Sequence, residues 1–393
     1  MKRPDFVLFA GQDWWYHNRS HSDFQLMVQV ARERKVVIVN SIGMRMPLPG
    51  RSSGFLGRCY RKLKSMLRAA QKPESELPNL TVVSPLFVPI YGSRLARRFN
   101  AWLLRVQLKR LMKREGIARP HVMVTLPTAW DVVEPLERAS LIYNRSDRHS
   151  AFPEADRELI EALEAQLFRN ADLVVYTSSA LMEEERDRPR GRAVFVDHGI
   201  DLEDFRRPES REPDPRLAGV PRPIVGFFGG IDDYVVDVSL FRRVARELPD
   251  HSLVLIGSSS VDLDELVARD NVHFLGRVPF AEIPRLGRHF DVAIMPWLQN
   301  EWIEACNPIK LKEYLALERR VVTTWFPEIE RYRSMVHVAE SSDEFVELVR
   351  TAAREKGPHE CPEREAMLAV SGWGDRARDL ARLADEATGS ATP

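Results

Sequence analysis

The sequence predicts an α/β protein built from two Rossmann-like, doubly wound parallel-sheet domains that face each other across a cleft. Two observations carry this expectation. Short apolar runs alternate with segments of helical periodicity along most of the chain, the pattern of parallel strands joined by crossover helices. The alternation is broken once, at 206–222, where four prolines and five arginines stand with few apolar residues, and then it restarts.

The first half opens with the strand Phe6–Ala10, which stops at Gly11. A loop dense in aromatic and polar groups, Gln12–Ser22, leads to a helix over Asp23–Arg34 and a strand at Val36–Asn40. Loops at the carboxyl ends of parallel strands are where ligands sit in such sheets. His17 and His21 are four apart but precede the helix, and no third ligand stands near them, which argues against a metal there. Further strands are expected at Leu80–Pro85, His121–Thr125, Ser140–Asn144, Asp172–Thr177 and Arg192–Val196, with a clear helix over Glu154–Asn170. After the break come strands at Pro223–Phe228, Ser252–Gly257, Val272–Gly276, Asp291–Met295 and Val321–Thr324, with helices between them. The domains are thus expected at 1–205 and 223–371, joined by a linker at 206–222, with 372–393 a C-terminal helix packing back on the first domain.

Composition narrows the class. Apolar residues at 44% and charged residues at 29% fit a water-soluble globular chain. Three scattered cysteines, without a Cys-x-x-Cys, fit a reducing cytosol and give no zinc or disulfide framework. The first apolar run is too short for a signal peptide, and no apolar run is long enough to span a bilayer. The net charge of zero hides an asymmetry: between Arg45 and Arg119 there are 17 Lys and Arg against three glutamates. The block contains a helix-like piece, Gly57–Arg68, and a basic amphipathic segment, Ser93–Glu115, in which Leu95, Phe99, Trp102, Leu103 and Val106 recur at helical spacing. Such a stripe either packs on the sheet or lies on an anionic membrane surface. The clustering favours the membrane, on its inner face, over nucleic acid.

One stretch carries chemistry. The strand ending at Met295 crosses a polar loop and enters a helix at Asn307-Pro-Ile-Lys-Leu-Lys-Glu313. Asn307 suits an N-cap and Pro308 the first helical position. Lys310 then sits beside open N–H groups at the positive end of the helix, an attractive place for phosphate. Glu313 lies on the same face, where a carboxylate could take a sugar diol. On spacing alone the pair reads equally well as a surface ion pair.

The ordered motifs of the second half resemble the GT-B glycosyltransferases, most closely the family 4-like branch, the glycosyl transferases group 1. They are Val225-Gly-Phe-Phe-Gly-Gly-Ile-Asp232, Ser252-Leu-Val-Leu-Ile-Gly257, Asn271-Val-His-Phe-Leu-Gly-Arg-Val-Pro-Phe280 and Asn307-Pro-Ile-Lys-Leu-Lys-Glu-Tyr-Leu315, flanked by Asp197-His-Gly-Ile-Asp201 and Gly372-Trp-Gly-Asp-Arg-Ala377. The resemblance implies that Glu313 holds the ribose hydroxyls of a UDP- or GDP-sugar, and that Lys310 and its helix terminus, with Asn307, bind the diphosphate. It implies that Gly229-Gly230 admits the donor to the backbone, and that Arg277 lies near the base. It implies no cofactor and no metal; Asp262-Leu-Asp264 formally matches a metal-binding motif but opens a helix, where acids suit the dipole. Two features depart from the family pattern: Ala305 stands where many members carry a second glutamate, and no Arg/Lys pair follows Gly230. A proton acceptor, if the anomeric centre inverts, would come from Asp13, His17 or Asp147. The implied function is transfer of a sugar to a glycan or lipid-linked acceptor in cell-surface polysaccharide or glycolipid synthesis. The alternatives are a GT-B epimerase or phosphorylase, or a non-catalytic binder of polyanions or membranes.

Overall fold

The computed structural model describes residues 3–17, 21–42, 64–65, 70–73, 76–88, 94–152, 155–206, 214–355 and 361–389. The expected helix at Gly57–Arg68 and the first part of the expected linker lie outside the described residues, apart from 64–65 and 206. The chain divides into two compact units, 1–198 with 373–393, and 199–372.

The first unit holds an eight-stranded sheet. Its strands are β1 (Phe6–Phe9), β2 (Val36–Val39), β3 (Ala70–Gln71), β4 (Leu80–Val83), β5 (His121–Val124), β6 (Ser140–Arg145), β7 (Leu173–Tyr176) and β8 (Arg192–Phe195). The order is β3-β4-β2-β1-β5-β6-β7-β8. All pairings are parallel except that of β3 with β4. Every residue of β1, β2, β5, β6 and β7 is buried, and β1, β2 and β7 accordingly read as unbroken apolar runs. Successive strands leave β1 in one direction and β5 in the other, so the switch point lies between them.

Asp156 caps the Arg157–Asn170 helix by accepting from the Leu159 N–H at 3.2 Å, and Ile160, Leu163, Leu167 and Phe168 are its buried face. The Arg94–Glu115 helix turns Ala101, Leu104, Leu108, Leu111 and Met112 inward. Leu95, Phe99 and Trp102, the residues whose spacing first marks it as amphipathic, are exposed. The Trp373–Gly389 helix belongs to this unit. It buries Leu380 and Ala384 and is fastened by Asp385, which receives two bonds from Arg34, at 2.9 and 2.6 Å, and lies 3.0 Å from His121 Nε2.

The second unit is a six-stranded, wholly parallel sheet: β9 (Ile224–Phe228), β10 (Ser252–Ile256), β11 (Val272–Gly276), β12 (Val292–Met295), β13 (Arg320–Thr324) and β14 (His337–Ala339). The order β11-β10-β9-β12-β13-β14 puts its switch point between β9 and β12. The unit begins at Gly199, earlier than the sequence boundary at 205, because the Leu202–Arg206 helix packs here: Phe205 is buried, and Arg288 donates to the Asp204 and Phe205 carbonyls. The described part of the expected linker is also packed. Leu217 is buried, and the buried Asp214 carboxylate binds Arg216 at 2.9 Å and Arg285 at 2.7 Å. Among the described residues, no helix is long and apolar enough to cross a membrane.

Candidate functional site

In open α/β sheets the crevice at the carboxyl side of the switch point is where ligands bind. In the second unit that is where β9 and β12 end. β9 runs into Gly229, whose φ of 140° suits glycine. The Gly229 N–H donates to the Ile256 carbonyl at 2.9 Å. Next to it β10 runs into Gly257, with φ 146° and so close that an added Cβ would fall 1.8 Å from the Gly229 carbonyl oxygen. The Gly257 N–H donates in turn to Gly276 at the end of β11, at 2.8 Å. Three adjacent strands therefore end in bare backbone.

Across the switch point, β12 leads into a loop held by its own polar groups. Thr324 Oγ1 accepts from the Trp297 N–H at 2.9 Å, and Asn300 caps the Glu301–Glu304 turn by accepting from Trp302 and Ile303. The helix that follows is Ile309–Ala316, with Pro308 as its N-cap residue and no side-chain cap. This corrects the expected N-cap at Asn307. Pro308 has φ −76°, which a helix would accept, but its ψ of 118° keeps it extended, so the helix starts one residue later. Asn307 is buried just before the cap. The first-turn N–H groups of Ile309 and Lys310 lie beyond the reach of i−4 pairing, as at any helix start.

Tyr314 fixes this helix to β9: its hydroxyl accepts from the Phe228 N–H at 2.8 Å, and its ring centroid lies 4.3 Å from that of Phe228. Lys310 is thereby laid along the bare face of Gly229, where an added Cβ would come 2.4 Å from its Nζ. The ammonium also sits 5.0 Å from the Phe227 ring centroid and 5.9 Å from that of Trp297, within cation–π range. Burial lowers the Lys310 pKa, opposed by the charges of Glu313 and Asp232. Glu313 is 5% exposed. Burial pushes its pKa up to about 7 even though Lys310 pulls the other way. Glu313 is also a carboxylate with no hydrogen bond from another side chain among the described residues, so its lone pairs are open to a ligand's hydroxyls.

The structure therefore brings Gly229, Lys310 and Glu313 together at the switch point. Gly230 follows at once, its missing Cβ leaving room for Asp232, whose Oδ2 would be 2.7 Å from it. Arg277 is exposed at the end of β11, two strands from β9. In the first unit, Asp13 follows β1 and Asp147 follows β6, again two strands apart. The Asp13 carboxylate is engaged, accepting from the Trp15 N–H at 3.0 Å and from the Ser65 hydroxyl at 2.6 Å. The Asp147 carbonyl accepts from Arg145 at 2.9 Å. His17 ends the Trp14–His17 turn, and its side chain lies outside the described residues.

Several groups escaped the sequence reading. Gly257 was visible only as a strand end, and Tyr314 only as a helix residue, since each acts on a partner distant in sequence. In the first unit, Asp23 has the sequence position of a helix start. Its Oδ2 in fact accepts from the Gly11 N–H at 3.0 Å and the Thr125 hydroxyl at 3.1 Å, tying β1 to β5 at that sheet's switch point. Arg145, fully buried at the end of β6, binds Glu185 at 2.9 and 3.0 Å and Glu164 at 2.5 Å, and so stiffens the loop that carries Asp147. Asp262 accepts from the Asp264 N–H at 2.8 Å, as a helix-start acid does.

Residues 222–355 match the sequence model of the family described as glycosyl transferases group 1. A Bacillus subtilis protein named as a teichuronic acid biosynthesis glycosyltransferase, TuaH, is 28% identical over 189 residues, about half of each protein (46% of this chain and 47% of the relative). Among solved structures, sucrose-phosphate synthase from Thermosynechococcus elongatus has a TM-score of 0.73 at 14% identity, covering 99% of this chain and 100% of that one. Trehalose 6-phosphate synthase from Burkholderia multivorans gives 0.67 at 14% identity, with both chains covered in full. HepE of Anabaena, solved with UDP-glucose, gives 0.61 at 13% identity, with 98% of each chain covered. At such identities the structural likeness establishes the fold. The chain shares the two-sheet fold of these synthases, and its second unit, over residues 222–355, is similar in sequence to the group 1 glycosyltransferases.

Proposed function

We propose that this protein transfers a sugar, of hexosyl type, from a UDP- or GDP-sugar to a glycan or lipid-linked acceptor in the synthesis of a cell-surface polysaccharide or glycolipid. The observation that carries the reading is Lys310 laid along bare Gly229, with the buried and unbonded Glu313 one helical turn away. In this reading Glu313 accepts the ribose hydroxyls, while Lys310 and the first-turn N–H groups of its helix take the diphosphate. Asn307, just before the helix, joins them at the diphosphate, Gly229 and Gly230 let the donor approach the backbone, and Arg277 lies towards the base. The nucleoside diphosphate gains negative charge as its bond to the sugar breaks, and a preorganised lysine and helix terminus stabilise that charge. The reading asks for no metal and no cofactor.

The first unit takes the acceptor in this proposal, and Asp13, His17 and Asp147 are the groups from which a proton acceptor would be drawn if the anomeric centre inverts. The work is placed on the cytoplasmic side, with residues 45–119 against an anionic membrane surface. HepE, which has the same fold, was solved with UDP-glucose, which supports a nucleotide-sugar donor, and the relative TuaH is named for teichuronic acid biosynthesis, which supports a polysaccharide product. Calorimetric titration of the protein with a panel of UDP- and GDP-sugars tests the reading. One donor should bind, and Lys310→Ala and Glu313→Ala should each weaken it by roughly tenfold or more, the loss of one charge-assisted contact. Unchanged affinity in both variants would sink the proposal.

A further inference from the structure

The Arg94–Glu115 helix has two apolar faces, and the fold of its own unit uses only one. Ala101, Leu104, Leu108, Leu111 and Met112 form the inner stripe and are 3–8% exposed. Leu95, Phe99 and Trp102 form a second stripe on the other side, and they are 77%, 49% and 54% exposed. The Phe99 and Trp102 rings lie 5.8 Å apart, centroid to centroid. Beside this stripe the chain at 86–88 is fastened along the helix by two side-chain amides. Asn100 accepts from the Val88 N–H at 2.8 Å and donates to its carbonyl at 2.6 Å; Gln107 does the same for Leu86, at 2.9 Å in both directions. Leu86 and Val88 are held there at 54% and 39% exposure. Hydrogen bonds thus hold an apolar surface open to solvent, and such patches mark interaction sites.

The charge on the helix is disposed to match. Between Arg94 and Arg119 the chain has nine Lys and Arg against one glutamate. Arg97 and Arg105 are occupied with Asp131, by an ion pair at 3.4 Å and a bond to its carbonyl at 2.8 Å. Lys109, Arg110 and Lys113 continue the outward side of the helix beyond Trp102 and are exposed. Among the described residues none of these three pairs with an acidic side chain.

We propose that this face docks on an anionic phospholipid surface, with Leu95, Phe99 and Trp102 entering the headgroup region and Lys109, Arg110 and Lys113 held at the lipid phosphates. An apolar stripe continued by uncompensated cations is what an anionic bilayer accepts. A second copy of the chain fits less well, because a self-complementary contact would bring the same cations face to face. The proposal sharpens the membrane-surface part of the proposed function and rests on that part alone; nucleotide binding in solution is a separate readout.

The test is co-sedimentation of the full chain with vesicles of phosphatidylglycerol and phosphatidylcholine, against vesicles of phosphatidylcholine alone, at low and high salt. The protein should pellet with the anionic vesicles and less so at high salt. Phe99→Ser with Trp102→Ser, and separately Lys109→Glu with Lys113→Glu, should each weaken that binding roughly tenfold or more. Both double variants should keep the parent's melting temperature and nucleotide-sugar affinity, since all four residues are exposed. Three results would each overturn the proposal: no binding of the parent to anionic vesicles, undiminished binding of the Phe99/Trp102 variant, or a parent dimer in sedimentation velocity that this variant abolishes.

Discussion

The Tyr314 hydroxyl accepts a hydrogen bond from the Phe228 backbone N–H, joining the Ile309–Ala316 helix to the last residue of β9 at 2.8 Å. The bond is buried, and it sets the distance between the helix that carries Lys310 and the strand end that carries Gly229. Tyr314→Phe would leave the Phe228 N–H buried without its partner, at a cost of about 1–3 kcal/mol. Urea denaturation should show that loss. Calorimetry should show a smaller fall in donor affinity than Lys310→Ala produces, because the lysine itself remains. A variant as stable as the parent would mean that the N–H finds water instead.

Glu313 is expected to trade stability for binding. The folded chain keeps its proton up to about pH 7, whereas an unfolded chain loses it near the ordinary 4.5. Between those values the native state binds more protons, so its stability falls as pH rises, by roughly 3 kcal/mol in all. Glu313→Gln removes that penalty but also removes the partner charge of Lys310, so a net gain of about 1–2 kcal/mol at about pH 8 is expected in denaturant titrations. Donor affinity should move the other way. Ligand hydroxyls donate best to the ionised carboxylate, so the parent should bind more tightly from about pH 6 to about pH 8 and level off above. The Gln variant should bind weakly with a flat profile, and a parent profile equally flat would remove Glu313 from the donor contact.

Gly257 is the position at which one added methyl group should do most damage. Its φ of 146° is strained for any other residue, and its Cβ would lie 1.8 Å from the Gly229 carbonyl. Relief requires moving one strand end away from the other, which breaks the backbone seam under Lys310. Gly257→Ala is expected to cost roughly 3–5 kcal/mol, seen as a lower melting midpoint, and to weaken donor binding in whatever fraction remains folded. At Gly219 no atom lies within 4 Å of an added Cβ, so Gly219→Ala, where φ is 83°, serves as the control for strain without collision.

Most of the sheet was legible because parallel strands buried on both faces are mainly apolar, and β1, β2 and β7 are four-residue runs without a polar break. The strands that escaped are β3 and β14, of two and three residues at sheet edges, too short for any period to show. Lys310 and Glu313 were legible because a helix start after a proline has local signals. The exact cap was not, because Pro308 has a φ that serves equally inside or outside the helix and only ψ separates the cases. The Arg94–Glu115 helix shows another limit. Two apolar stripes interleave on it, and periodicity cannot say which one the core takes. Asp23 and Gly257 were missed because their partners, Thr125 and Gly229, are brought to them only by the order of the strands.

Asp385 is expected to hold the C-terminal helix through a charge that acid removes. It is 28% exposed and serves Arg34, 8% exposed, and the fully buried His121. Burial alone would raise its pKa, but the hydrogen bonds from Arg34 and His121 outweigh that and hold it below the ordinary 3.8. The folded state therefore binds this proton less readily than the unfolded chain, so the stabilisation is fully present above about pH 4 and fades as the pH falls below it. Burial keeps His121 itself below its usual pKa, opposed by Asp385, so at neutral pH the anion faces chiefly Arg34. Asp385→Ala should then cost about 1–3 kcal/mol at neutral pH by leaving Arg34 without its bidentate partner. Limited proteolysis should release the Trp373–Gly389 helix from the variant faster than from the parent. The gap between the two should narrow below about pH 4, and a gap that persists in acid would assign the anchoring to Leu380 and Ala384 packing instead.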